Sequence, residues 1–383
     1  MIGEAFARHG DVLWLFAPWQ VPDSPARSAP AGLLQHRRLA VPPTPRGHSR
    51  GLLRAWRAAA EHFNAAGAGR LAREFFAESS GPRVLLLGWP QDYLLAGARW
   101  ADVVVTVAFD DMAFLPYFER SRNIIRRQEV ALARNADLCL CTSNELLASR
   151  RAWGANVATC LNGVDLEAFC AVSVPRARLR GRPLVGCLGH FDFRIDVGAL
   201  EEVLVRCDVD VRLVGKSSNP ELDRLVERFP DKCVLAPAVS PSDIPEIVRA
   251  FDIALLPFKV DAATRAMRPL KYFQYLAMGK PVVTSALPEL LPFTKYATVA
   301  KTPLDFAVAV DAIARQLPEP SQVGAERRAM ASRAADGRAT CNAAVDLMIT
   351  MAHERRDRRG RDAARVASPR AGQDVSRSSR LHL

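Results

Sequence analysis

The 383-residue chain is 49% hydrophobic and 24% charged with a formal charge of +11, a globular composition with enough chain for two domains. Its longest apolar runs, such as VVVTVAF (103–109) and VLLL (84–87), fall far short of the ~20 residues needed to span a bilayer. The start, MIGEAFARHGDVLWLF, lacks a basic region followed by a long apolar stretch and a cleavage site, so neither a transmembrane helix nor a signal peptide is expected and a cytoplasmic location follows.

In chain order, IGEAFARHG reads as the end of a helix leading into a strand, DVLWLF (11–16). A parallel α/β domain ordinarily opens with a strand, and this reading allows that the first strand of the N-terminal domain is missing. Further strands are expected at RVLLLG (83–88), DVVVTVA (102–108), DLCLCTS (137–143) and NVATCLN (156–162), with helices at 50–78, 120–135 and 144–152. After the polar, Pro-bearing stretch AVSVPRARLRGRP (171–183) the scheme restarts with PLVGCLG, DVRLVG, CVLAP, IALLPF, PVVTS and ATVAK. Alternating short strands and amphipathic stretches define α/β layers on parallel sheets. The expected division is 1–172, 173–350 and a basic tail, 351–383. From His353 onward, nine Arg face four Asp or Glu with almost no large apolar residues, so the tail is expected to be disordered.

The eight cysteines form no CxxC pair or regular framework and read as reduced thiols. Cys139 and Cys141 are expected on opposite faces of their strand, unable to share a metal. The seven His show no metal-ligand spacing. Asp208 and Asp210 form a D-x-D, read as a solvated turn, and no Gly-x-Gly-x-x-Gly or P-loop is present. The basic runs HRRLAVPPTPRGHSRGLLRAWR and ERSRNIIRRQE suit solvated faces, an anionic membrane surface or a phosphate-bearing acceptor; without a recognised motif, nucleic acid is not expected.

Open parallel sheets bind ligands at the carboxyl ends of their strands. Gly189, followed by His190, ends one such strand; its backbone could approach a diphosphate or form a plain tight turn. In RPLKYFQYLAMGKPVV (268–283), Lys271 and Gln274 are three apart and share a helix face, with Tyr275 four from Lys271. The helix start around Arg268 to Lys271 offers amides and basic side chains to an anion; a surface helix with solvated Lys and Gln fits the periodicity as well.

This helix, with CLNGVDLEAF (160–169) and VGCLGHFDFRID (185–196), resembles the signature set of GT-B glycosyltransferases over roughly residues 80–345. In many members the helix reads P-L-K-x-x-E-Y-L-A-x-G-K-P-V-V, N-G-V-D marks the domain crossover, and the G-H or G-T turn receives a nucleotide-sugar diphosphate. VAFDDMAFLPYF (107–118), followed by RRQEVALARNADLCLCTSNELLASR, is similar to capsule and exopolysaccharide transferases, and the K-x-x-Q helix to the xanthan-pathway glucuronosyltransferase.

The resemblance implies two Rossmann-like domains facing across a cleft and transfer of a sugar from a nucleotide-diphosphate donor to a lipid-linked glycan. It makes Asp110 the candidate base, with Asp111 next in line, and Lys271 and Gln274 nucleotide contacts. Gly189, His190, Arg265 and Arg268 complete the expected donor site, with no metal or other cofactor. A carboxylate in the cleft could remove the acceptor proton, and Lys271, backbone amides and the arginines could stabilise the leaving diphosphate. Many retaining members carry two Glu eight apart; Ala266 and Gln274 stand there instead, which favours inversion. The same departures keep open a non-catalytic binding or assembly partner of this fold. A sugar-nucleotide epimerase is a further alternative, without the cluster of acids and His it would need.

Overall fold

The computed structural model describes residues 11–16, 37–38, 65–77, 79–89, 91–172 and 181–367. Two six-stranded sheets, every pairing parallel, form in series. The first contains β1 (Asp11–Phe16), β2 (Arg37–Arg38), β3 (Arg83–Leu87), β4 (Val103–Ala108), β5 (Leu138–Cys141) and β6 (Val157–Thr159), in the order β2-β1-β3-β4-β5-β6. β1 pairs directly with β3, so this sheet runs unbroken from β2 to β6; residues 1–10, on which the missing-strand expectation turns, lie outside the described residues. The second contains β7 (Leu184–Leu188), β8 (Asp210–Val214), β9 (Cys233–Ala236), β10 (Ile253–Leu256), β11 (Val282–Ser285) and β12 (Thr298–Ala300), ordered β12-β11-β10-β7-β8-β9. That is the doubly wound order, with its topological switch between β7 and β10.

The strands are Val- and Leu-rich runs because a parallel sheet is covered on both faces. In the second domain alternate residues serve two cores: Val185, Cys187, Val211 and Leu213 point one way, and Leu184, Leu188, Val214 and Leu256 the other. Aspartates at the starting ends of strands accept amide hydrogens from their neighbours: Asp102 from Arg83 (3.0 Å), Asp137 from Val104 (2.8 Å) and Asp252 from Leu184 (2.8 Å). Each satisfies a donor left over where the ladder begins. Cys139 and Cys141 share a face, with sulfurs 3.9 Å apart. The opposite-face expectation fails because positions two apart in a strand point the same way.

The first sheet is covered by a helical segment, α1 (65–76), and by α2 (Arg122–Asn135) on one face. The helix α3 (Asn144–Ala152) follows β5. In the second domain α4 (Leu166–Cys170), α5 (Val197–Arg206), α6 (Pro220–Arg228), α7 (Ile244–Arg249), α8 (Leu270–Ala277), α9 (Pro303–Arg315) and α10 (Ser321–Ala334) pack around the second sheet. The last helix, α11 (Gly337–Ala367), returns to the first domain. There Ala344, Val345, Met348 and Ala352 close the other face of the first sheet over Val84, Leu86, Val103 and Leu140.

The disordered tail from 351 is thereby corrected. Residues 351–367 continue this helix, and Arg355 pairs with Asp137 at 2.6 Å while Arg356 donates to the Ser80 carbonyl at 3.0 Å. The arginines that made the composition look disordered are surface partners of a helix whose apolar stripe lies just before them. Residues 368–383 lie outside the described residues.

The chain thus crosses between domains twice, and the crossings touch. Val164 donates its amide to the Ala335 carbonyl (2.8 Å), and Gly337 donates to the Val164 carbonyl (3.0 Å). A Cβ on Gly163 would stand 2.3 Å from the Gly337 Cα, an impossible contact, so the glycine of the N-G-V-D segment is required by close backbone approach.

The docking of α11 makes a stability prediction. Met348, 1% exposed in the first-domain core, should cost about 2–5 kcal/mol when replaced by Ala. Urea unfolding measures this; an unchanged midpoint for Met348→Ala would show that the helix does not seal this sheet.

Candidate active site in the interdomain cleft

The carboxyl ends of both sheets contribute to one cavity of about 530 Å³, lined from the first domain by Trp89, Phe109, Asp110, Met112, Leu115, Tyr117 and Phe118, and from the second by His190, Asp192, Phe193 and Arg194. Trp89 follows β3, Asp110 follows β4, and His190 to Arg194 follow β7, so the cavity has the location at which open α/β sheets bind ligands. Tyr117 and Phe193 meet edge to face across the domain boundary, ring centroids 5.8 Å apart.

On the second-domain side, Gly189 ends β7 with φ +148°, and a Cβ placed there would lie 4.0 Å from the Lys271 Cε. The neighbouring strand ends as tightly: a Cβ on Gly215 would stand 1.7 Å from the Gly189 carbonyl oxygen. These glycines leave backbone beside the Lys271 side chain with no room for a larger residue at 215. Burial depresses the Lys271 pKa, partly opposed by the Cys187 thiol and reinforced by Arg194.

The helix α8 is inside the domain rather than on its surface. Every residue from Tyr272 to Ala277 is buried, and the Tyr275 hydroxyl accepts the Leu188 amide at 2.8 Å. Tyr275 therefore anchors α8 to β7 and does not join Lys271 at a ligand face. Gln274 is 7% exposed, and its Oε1 has no hydrogen-bond partner among the described residues. A buried amide oxygen without a donor is costly.

On the first-domain side, Thr142 donates its hydroxyl to the Ala108 and Phe109 carbonyls (3.3 Å each), fixing the chain that leads into Asp110. Burial pushes the Asp110 carboxyl up to about 6; Arg194 opposes this, while Asp192 and Asp111 add to it. Such a group is ionised at neutral pH and more basic than an ordinary carboxylate.

Three expected site residues stand elsewhere or otherwise engaged. Asp111 is not among the residues lining the cavity and pairs with Arg126 at 2.7 Å, which corrects its place as the reserve base. Arg268 is 3% exposed, donates to the Ala334 carbonyl (2.9 Å) and lies 4.2 Å over the Phe273 ring, with its buried Nε unpartnered among the described residues; it lies outside the cavity lining and binds the start of α8 to the end of α10. Arg265 is exposed and lies 3.6 Å from Glu145 across the boundary, outside the cavity lining. His190 does line the cavity, with Nε2 3.1 Å from the Ser218 hydroxyl. The departure Ala266 packs among Ala133, Cys141 and Leu146 of the first domain.

The sequence reading missed Arg194. Its guanidinium is held by Asp192 through Nε (3.0 Å) and Nη2 (2.7 Å), a bidentate pair on a carboxylate only 4% exposed. A local signal exists, since Asp192 and Arg194 stand two apart in the loop after a glycine-ended strand. Asp208 and Asp210 both pair with Arg182. Among the described residues, no three His, Cys, Asp or Glu are grouped to hold a metal ion, and no helix is long and apolar enough to cross a membrane.

This fold and cleft define a GT-B protein, and known structures agree. Anabaena HepE in complex with UDP-glucose superimposes with a TM-score of 0.63 at 15% identity, covering 89% of this chain and 100% of that one. WaaG, a glycosyltransferase involved in lipopolysaccharide biosynthesis, gives 0.61 at 13% identity, covering 88% and 99%. Residues 182–316, within the second domain, match the family described as glycosyl transferases group 1. A protein of Bacillus subtilis (strain 168) named as a candidate teichuronic acid biosynthesis glycosyltransferase, TuaH, is 29% identical over 213 residues, 52% of this chain and 53% of the relative. The match therefore spans about half of that relative's length.

The raised Asp110 pKa sets a pH-dependent stability difference. The folded state holds the proton more tightly than the unfolded chain, so stability is lost as pH rises from the ordinary 3.8 through about 6. Asp110→Asn removes that loss. Its melting temperature should exceed the wild type's at pH 8, with the difference closing near pH 4; a difference equal at both pH values would show that the Asp110 carboxyl is not raised.

Proposed function

We propose that the protein is a glycosyltransferase that moves a sugar from a nucleoside-diphosphate donor to a glycan acceptor in polysaccharide biosynthesis. The observation that carries this reading is the single cavity lined by Asp110 from one domain and by the loop after β7 from the other, with Lys271 packed beside Gly189. The match of residues 182–316 to the group 1 family supports a nucleotide-sugar donor, as does the UDP-glucose complex of HepE, and the pathway named for the Bacillus relative supports polysaccharide biosynthesis.

In this reading the donor diphosphate lies at the Gly189 turn. Lys271 and nearby amides stabilise it as the bond from C1 to phosphate breaks, with no metal or other cofactor. Gln274 supplies an amide able both to donate and to accept, and its unpartnered Oε1 is satisfied by the nucleotide. The acceptor hydroxyl enters beside Trp89 and Phe109, whose rings are 6.3 Å apart, and Asp110 takes its proton. Direct attack opposite the leaving diphosphate inverts the anomeric carbon.

Next to the cavity, Tyr117 and Ile124 are 68% and 42% exposed, and Arg120, Arg122 and Arg127 are also exposed. This basic and apolar surface suits a lipid-linked acceptor presented at an anionic membrane face. A cytoplasmic protein associated peripherally with the inner membrane face is the corresponding location. One observation favours a second reading, a binding or assembly partner without turnover: Ala266 places apolar packing where many relatives have a Glu.

Two variants separate these readings. Removing a charge-assisted contact worth about 1.5–3 kcal/mol, Lys271→Ala should weaken UDP binding roughly 10- to 100-fold by calorimetry; unchanged affinity would remove Lys271 from the donor site. Asp110→Asn should keep UDP affinity and abolish sugar transfer to a lipid-linked glycan extract. Transfer at the wild-type rate would dismiss Asp110 as base, and binding without any wild-type transfer would favour the binding partner.

A further inference from the structure

Behind the Asp110 turn lies a polar cluster that the transfer chemistry above does not use. Glu129, on the inner face of α2, is 6% exposed, and its Oε1 accepts the Met112 amide at 3.2 Å. The same carboxylate pairs with Arg150 of α3 at 2.9 Å and with Arg126, one turn earlier on α2, at 3.2 Å. Arg126 in turn holds Asp111 at 2.7 Å. One buried carboxylate therefore grips the segment just after Asp110 twice, directly at the Met112 amide and through Arg126 at Asp111. The arginines are held as well: Arg150 and Arg126 lie 4.2 Å and 5.1 Å over the Trp153 ring.

We propose that Glu129 is the positioning residue of this cleft: it fixes the turn that carries Asp110, with a small chamber lined by both carboxylates beside it. The proposal rests on reading Asp110 as the group that acts in the cleft. The chamber, about 30 Å³, is lined by Asp110, Glu129, Arg150, Thr106 and Trp89 among others, room for one or two waters. The Trp89 Nε1 is buried without a partner among the described residues, a donor that such a water would satisfy. A buried ion pair adds little stability over apolar residues of the same volume. Arg150 and Glu129, 3% and 5% exposed in their side chains, are thus better explained by what they hold than by what they stabilise.

The charges around Asp110 come from several elements: Asp111 on its own turn, Arg126 and Glu129 on α2, Arg150 on α3, and His190, Asp192 and Arg194 from the second domain. Burial raises Glu129 to about 7 against the pull of Arg150, Arg126 and the Met112 amide, while Asp111 adds to the rise.

The test uses the full chain: hydrogen exchange at the Met112 amide should quicken at least ~10-fold in Glu129→Ala and stay slow in Glu129→Gln, which keeps an acceptor for that amide; slow exchange in both would overturn the positioning role. If the Ala variant does not fold, slow exchange at Met112 in Glu129→Gln supports the grip and fast exchange opposes it. This readout does not depend on turnover, so this inference can fail while Asp110 remains the base, and the base assignment can fail in the transfer assay with the grip intact.

Discussion

The cleft depends on one close contact, the place where the chain's two passages between domains lie against each other. The Gly163 and Gly337 backbones meet where no Cβ fits, and two amide hydrogen bonds through Val164 tie the passages together. Domains joined by one flexible strand could take many relative orientations; joined by two bonded passages, they retain few. The orientation retained brings the carboxyl ends of β4 and β7 to the same cavity. Further contacts hold it: buried Glu289 of the second domain accepts the Glu145 amide at 2.8 Å and the Asn144 side chain at 3.3 Å, at the start of α3. A carboxylate at a helix start satisfies free amides and meets the positive end of the dipole, so this link is also a helix cap.

Much of this architecture was legible because strand runs and their spacing are local properties. Val103 to Ala108 reads as a strand from its own β-branched residues, and the three matched motifs place the doubly wound second domain. What was not legible depends on partners far along the chain. Arg268 at a helix start looks like an anion contact until Ala334, 66 residues later, supplies the carbonyl it binds. Asp111 looks equivalent to Asp110 until α2 brings Arg126 beside it. The tail was misread for a related reason. Val345, Met348 and Ala352 recur at helical spacing and bury on the first sheet, but the division drawn at residue 351 separated this stripe from the arginines that continue the same helix.

The electrostatics divide along the domain boundary. The first domain holds an acid whose basicity is raised by burial, and the second holds a lysine whose charge is discouraged by burial. Arg194 lies between them, already matched by Asp192, so it opposes the rise at Asp110 without cancelling it. If Arg194 were unpaired, its full charge would draw Asp110 back toward an ordinary, weaker base. The Asp192 carboxylate thus helps preserve the basicity of a residue in the other domain, an effect that requires both domains in place.

Lys271 completes this balance. A half-buried ammonium beside a glycine turn is less favourable without an anion than with one. A diphosphate placed there would return Lys271 toward its ordinary charge state, and the gain in binding would come from relieving a cost already present in the free protein. The unpartnered oxygen of Gln274, one helical turn along, follows the same logic. Gln274 holds a buried oxygen without a partner among the described residues and Lys271 a charge discouraged by burial, while Tyr275 on the same helix bonds β7. Such costs at two positions three apart set this part of α8 apart from the Tyr275 position that packs on β7, a distinction that helical periodicity alone leaves open.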